Sequence, residues 1–195
     1  TGVASASNVG SPMSPDEYKT LMDKLLALPA CALFTTGRTG TDLLQSLLDS
    51  HPEVLTFNGH ILFHSFWESS TCVAAGEFAP EDVIDEFIGK HIEFFKSRYD
   101  ILERKHQLGD DMDQWISIDL DRFRTDALNL VQNRELDSRT VLLAIHGAFA
   151  LALGQDLNKK TIFLYHPHDF GQLPRYLRDF PESKIICMTR DPRAN

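Results

Sequence analysis

The sequence predicts an α/β fold in which a parallel β-sheet is flanked by helices. Three observations carry that expectation. Short apolar runs bounded by turn residues recur at 31–35, 54–57 and 161–165 and again from Ile185 onward. Stretches with apolar residues at helical spacing separate them, the alternation that builds parallel sheets. The first and last runs each end in an arginine, Arg38 and Arg190, so two strands deliver a cation to their carboxyl ends.

In chain order, Ser14-Pro15-Asp16-Glu17 reads as a helix start, with a serine N-cap, proline in the first turn and acids that complement the dipole. Leu21, Leu25 and Leu28 continue the helix and Pro29 ends it. A strand over 31–35 follows, then a Gly/Thr-rich turn, then a helix to about Ser50 that sets Leu43, Leu44, Leu47 and Leu48 on one face. His51-Pro52-Glu53 breaks that helix before a short strand over 54–57, and Asn58-Gly59-His60 turns into an aromatic helical stretch. Pro80 opens a long helix in which Ile84, Ile88, Phe95, Tyr99 and Leu102 keep helical period. Two further helices are expected over 120–132 and 138–153. A strand over 161–165, the segment His166-Pro167-His168-Asp169 and a short helix over 173–179 lead to the last strand. Residues 1–14, rich in Ser, Gly and Ala, read as a disordered leader, with the folded domain over 15–195. The chain stops at Asn195, directly after its last motif, so further fold elements are expected beyond it.

Composition excludes some functions. With 28 acidic against 19 basic side chains, the net charge is −9, which disfavours wrapping nucleic acid. An anionic ligand must then be captured by a few aimed cations and backbone amides. No run approaches the ~20 apolar residues of a membrane span. Cys31, Cys72 and Cys187 are odd in number, and two of them fall in strands expected to be buried. Free thiols and a cytoplasmic location are the expectation.

The segment Phe34-Thr35-Thr36-Gly37-Arg38-Thr39-Gly40-Thr41-Asp42 runs from strand through small-residue loop to helix start. Converging backbone N–H groups and a cation there suit a phosphate-like anion. It is not a Walker A loop: two residues rather than four separate Gly37 from Gly40, and no Gly-Lys-Ser/Thr follows. A second cation, Arg190, points to a nucleotide-type ligand with two separated anionic groups.

These two segments carry a family resemblance. Arg38-Thr39-Gly40-Thr41, the leucine-rich helix and His51-Pro52-Glu53-Val54 resemble the 5′-phosphosulfate loop of sulfotransferases. Lys184-Ile185-Ile186-Cys187-Met188-Thr189-Arg190-Asp191-Pro192 resembles the same family's 3′-phosphate motif. The resemblance spans roughly 29–195, with the middle third matching only in helical character. It implies a P-loop NTPase-like sulfotransferase fold that uses 3′-phosphoadenosine 5′-phosphosulfate (PAPS) and releases adenosine 3′,5′-bisphosphate. On that resemblance Gly37, Arg38, Thr39, Gly40, Thr41 and Asp42 form the cofactor loop. Arg38 binds the 5′-phosphate and bridging oxygen and serves catalysis, and Arg190 grips the 3′-phosphate. Asp42 departs from the family, which carries Ser or Thr there; a carboxylate repels the ligand unless it points away or caps the helix.

The transfer also needs a general base near the acceptor. His60, past the second strand, and His166, past the third, occupy the two places where relatives carry one; His168 and Glu53 stay open. Two histidines in His166-Pro167-His168 can chelate a metal, but a third and fourth ligand are not evident, so no metal is assigned. Asp110-Asp111-Met112-Asp113 reads as a solvated turn, and Phe63, Phe66, Trp67 and Phe78 as core near the acceptor side. Small molecule, glycan and lipid acceptors all fit, with no nucleic-acid partner. The alternatives are a nucleotide-binding scaffold of the same fold without catalysis and, less favoured, a small-molecule kinase.

Overall fold

Four strands form a parallel sheet: β1 (Ala30–Thr35), β2 (Val54–Leu55), β3 (Ile162–Asp169) and β4 (Lys184–Met188), in the order β2-β3-β1-β4. They belong to a computed structural model that describes residues 13–35, 39–49, 51–57, 59–99, 107–108 and 110–189. Side chains alternate between the faces. Ala32, Phe34, Leu55, Phe163 and Tyr165 enter the main core, while Cys31, Leu33, Val54 and Leu164 form a smaller cluster on the opposite face. Burial on both faces is why β1, β2 and the first part of β3 read as unbroken apolar runs, whereas β4 is apolar yet exposed. The expected leader falls mostly on residues 1–12, outside the described residues.

The main face is covered by helices. In α1 (Pro15–Leu26), the expected N-cap Ser14 forms a reciprocal capping box with Glu17, worth about 1 kcal/mol. Asp119 and Asp137 cap α7 (Leu120–Val131) and α8 (Ser138–Ala152) by accepting from first-turn N–H groups. Every residue of α8 from Thr140 to Leu151 is buried. A Cβ on Gly147 would lie 2.6 Å from Leu25 Cδ1 and 3.1 Å from Leu130 Cδ1, so this glycine lets α8 nest against α1 and α7. The Tyr18 hydroxyl donates to Asp126, tying α1 to α7. Then α3 (Phe63–Ser69), α4 (Thr71–Ala75) and α5 (Pro80–Lys90) enclose the aromatic core, and α9 (Leu173–Asp179) joins β3 to β4. Among the described residues, no helix is long and apolar enough to cross a membrane.

Four expectations need correcting. The helix after the loop is short: α2 spans Thr41–Ser46. Its buried positions are Thr41 and Gln45, with Leu44 and Leu48 packed on the smaller cluster, while Leu43 and Leu47 are 66% and 70% exposed. The leucine stripe is therefore wider than the face that the sheet covers. The long helix expected from Pro80 ends at Lys90, where His91 leaves helical backbone (φ −128°, ψ 35°) before α6 (Ile92–Phe95). Ser97 N–H then donates to Ile116 and Ile118 N–H to Phe95, so another segment takes over the chain's hydrogen bonds. The part of that helix expected over 101–106 lies outside the described residues. The third strand runs four residues past Tyr165 and contains the histidines. Cys187, expected to be buried, is exposed on β4, whereas Cys31 is buried; all three thiols are free.

Candidate functional site

The site lies at the carboxyl edge of the sheet. β1 pairs in parallel with β4, in a register running from Cys31 opposite Lys184 to Thr35 opposite Met188. Both segments singled out in the sequence therefore leave adjacent strands at the same edge. Gly37, Arg38 and Arg190 lie outside the described residues. The Thr35 and Thr39 hydroxyls, which flank residues 36–38, are 2.6 Å apart. Gly40 heads α2 in a left-handed conformation (φ 93°), which a glycine adopts without strain. Met188 of β4 would lie 3.8 Å from a Cβ placed on it, so the loop of β1 sits against the end of β4. Thr41 is buried and Asp42 is exposed.

On the other side of β1, the end of β3 supplies two histidines. The β1–β3 register advances two residues on β1, Ala32 to Phe34, against three on β3, Tyr165 to His168. This bulge carries Pro167, which has no N–H to leave unpaired, and His168 in a left-handed conformation (φ 61°). The bulge re-aims the chain and leaves the His166 and His168 rings 5.3 Å apart between centroids. Ile61 N–H donates to the His166 carbonyl at 2.9 Å, fastening the segment after Gly59 to the same edge. His60 thereby comes within 5.8 Å of the His166 ring and 4.6 Å of the His168 ring.

One buried residue orders the histidines. Gln45 Nε2 donates to the Phe57 carbonyl (2.9 Å), the Gly59 carbonyl (3.0 Å) and Thr56 Oγ1 (3.3 Å). Backbone carbonyls only accept, so the amide can be oriented one way, with Oε1 facing His166 Nδ1 at 2.6 Å. His166 therefore carries its proton on Nδ1 and presents a lone pair at Nε2. His168 Nδ1, 3.3 Å from that nitrogen, is then the donor, and the basic nitrogen of His168 is Nε2. Burial, opposed in part by Asp42, pushes His166 down to about 4, so this ring is neutral at pH 7.

Asp42 faces these histidines. Its Oδ1 is 3.6 Å from His60 Nδ1 and 3.8 Å from His166 Nδ1. The N-cap of α2 is Gly40, with no side-chain cap, so Asp42 does not cap the helix. Asp42, His166 and His168 each offer one ligand atom, all within 4.8 Å of one another, a set that could hold a cation. A carboxylate opposite His60 Nδ1 also suits a His–Asp pair in which Nε2 acts as the base.

Other candidates fall away on position. Glu53 precedes β2, and its carbonyl accepts from Thr161 N–H at the start of β3, so it lies at the amino edge of the sheet. Ser138, Asp179 and His64 form a half-buried chain, but Ser138 Oγ donates to Asp179 (2.5 Å) rather than to a base, so the serine is not activated. Phe63 and Phe66 are core, with Trp67 and Phe78 packed against it. Asp110 to Asp113 form an exposed turn. Sequence reasoning missed Gln45. The available signal was its spacing from Thr41, four residues along the same helix face. The chain matches no family model, and neither a curated protein nor a solved structure matches it.

Proposed function

We propose that this chain carries the donor-binding part of a sulfotransferase that moves a sulfuryl group from PAPS to an acceptor hydroxyl or amine. The observation that supports it most is the β1–β4 register, which brings the two motif-bearing strands side by side with their carboxyl ends level. In this reading the sheet is the P-loop-like sheet of that family. Arg38, with Gly37, Thr39, Gly40 and Thr41, holds the 5′-phosphosulfate, and Arg190 holds the 3′-phosphate. Such cations stabilise the charge that gathers on the leaving phosphate.

His60 is the general base. Asp42 faces its Nδ1, so the proton stays there and Nε2 takes the acceptor's proton. As it does, the acceptor oxygen bonds to sulfur, the sulfur–oxygen bond to the 5′-phosphate breaks, and that electron pair leaves on the bisphosphate. Asp42, a departure from the family pattern, gains a role on the acceptor side. A second base is supported by the Gln45–His166–His168 chain, which makes Nε2 of His168 basic at the mouth of the site. His166 itself, buried and engaged at both ring nitrogens, is a positioning residue in this reading. The free thiols accord with a cytoplasmic setting.

The test is a thermal-shift titration. Adenosine 3′,5′-bisphosphate should stabilise the protein and ATP with Mg²⁺ should not. Arg190→Ala should weaken bisphosphate binding by about 2 kcal/mol, the scale of a lost charge-assisted partner. Equal affinity in the variant would remove the 3′-phosphate assignment. Stabilisation by ATP·Mg²⁺ would favour a kinase, and by neither ligand a scaffold. His60→Ala should abolish turnover with bisphosphate affinity intact; full turnover would transfer the role to His168.

A further inference from the structure

We propose that Asp42, His166 and His168 form a three-ligand binding site for a divalent transition metal, with Zn²⁺ the best-suited ion and the fourth position left to water. The proposal stands independently of sulfuryl transfer. Two imidazoles on β3 and one carboxylate on α2 converge at one edge of the sheet. The atoms of Asp42, His166 and His168 that can ligate all lie within 4.8 Å of one another. The histidine pair has the spacing of two tetrahedral ligands: His168 Nδ1 is 3.3 Å from His166 Nε2. With bonds of ~2.0–2.2 Å, ligand atoms around tetrahedral Zn²⁺ lie ~3.3–3.6 Å apart.

The support around the ligands is also present. A ligating histidine normally donates its second ring N–H to a fixed oxygen, which sets the tautomer and aims the lone pair. His166 Nδ1 does this to Gln45 Oε1 at 2.6 Å, and two backbone carbonyls hold Gln45 in turn. His166 is buried and sits on β3, so its lone pair is aimed by the sheet rather than by a loop. Imidazole with carboxylate suits Zn²⁺, Cu²⁺ and Ni²⁺ over the hard ions Mg²⁺ and Ca²⁺, which prefer all-oxygen shells. The sequence shows only the His166–His168 pair; the fold supplies Asp42.

Metal-stripped protein titrated with Zn²⁺ in competition with a chromophoric chelator should bind one ion per chain. Bound Co²⁺ should show the intense visible absorption of a tetrahedral site. Asp42→Asn, which is exposed, should weaken Zn²⁺ binding by at least ~10–100-fold, the loss that even outer-shell changes produce. His168→Gly should do the same without straining the left-handed backbone at this position. His51→Ala, an exposed histidine outside the cluster, should leave the affinity unchanged. The proposal is overturned if Asp42→Asn and His168→Gly bind Zn²⁺ as tightly as the parent, or if His51→Ala weakens binding equally. Bisphosphate affinity, tested through Arg190→Ala, reports on the other reading, so either can fail without the other.

Discussion

Replacing Gln45 by leucine should cost about 4 kcal/mol of stability, and the hydrogen bonds of this residue show why. Leucine fills a similar volume but removes four contacts: to Thr56 Oγ1, to the Phe57 and Gly59 carbonyls and from His166 Nδ1. Two backbone carbonyls and one imidazole N–H then lose their partners in a buried setting. Each such group costs ~1–3 kcal/mol, partly recovered where water reaches the Gly59 carbonyl. A loss near 4 kcal/mol is a large part of the 5–15 kcal/mol typical of a domain. Urea unfolding followed by far-UV circular dichroism measures it. A double-mutant cycle with His166→Leu isolates the shared bond and should give a coupling of about 1–2 kcal/mol. Gln45→Glu should be no better than leucine, because it turns an oxygen toward two carbonyls. A Gln45→Leu protein within 0.5 kcal/mol of the parent, or additive with His166→Leu, would refute the ordering role given to this amide.

Three further outcomes test the fold. Gly147→Ala should destabilise by about 1 kcal/mol: crowding against Leu25 and Leu130, ~2 kcal/mol at the middle of the usual ~1–3 kcal/mol for overpacking, exceeds a helix-propensity gain of ~1 kcal/mol; an equally stable variant would show that α1 and α7 yield freely. Lys160 is buried, with Nζ donating to the Val54 carbonyl and Gln155 Oε1 (2.8 Å each), so Lys160→Met should cost about 2–4 kcal/mol by urea unfolding, and a neutral result would deny it that role. Burial pushes His146 down from 6.5 to about 4, with Nδ1 facing the Leu142 carbonyl, so the unfolded chain takes up a proton in that window and the folded chain does not. Stability should therefore fall as pH drops from 6.5 toward 4, by up to about 3 kcal/mol from this group. His91 and His166 shift the same way. His146→Leu should flatten that slope by about one proton; an unchanged slope would place the uptake elsewhere.

Much of the fold was legible because local chemistry and tertiary context agree. Ser14 with Glu17 gives the start of α1 outright, and β1, β2 and the start of β3 read as strands because both their faces are buried. Long-range competition produces the departures. Period alone carries a helix through His91, but backbone bonds from Ser97 N–H to Ile116 and from Ile118 N–H to Phe95 end it. Leu43 and Leu47 look like core because a stripe cannot reveal how wide its cover is. The candidate site was legible as residue types at strand ends, His60 and His166 among them. Their grouping depends on a bulge, on a left-handed His168 and on Gln45, and local sequence reports none of these.

The parallel ladder has a consequence for how such a site would fail. Its histidines ride on β3 and its loop on β1, so their spacing is a property of strand alignment. A parallel pair cannot creep: slipping by one position turns every inward side chain outward and exposes the cluster around Phe34 and Tyr165. Damage to the interior of either strand should thus leave surviving molecules with undiminished ligand grip, and reduce only their number.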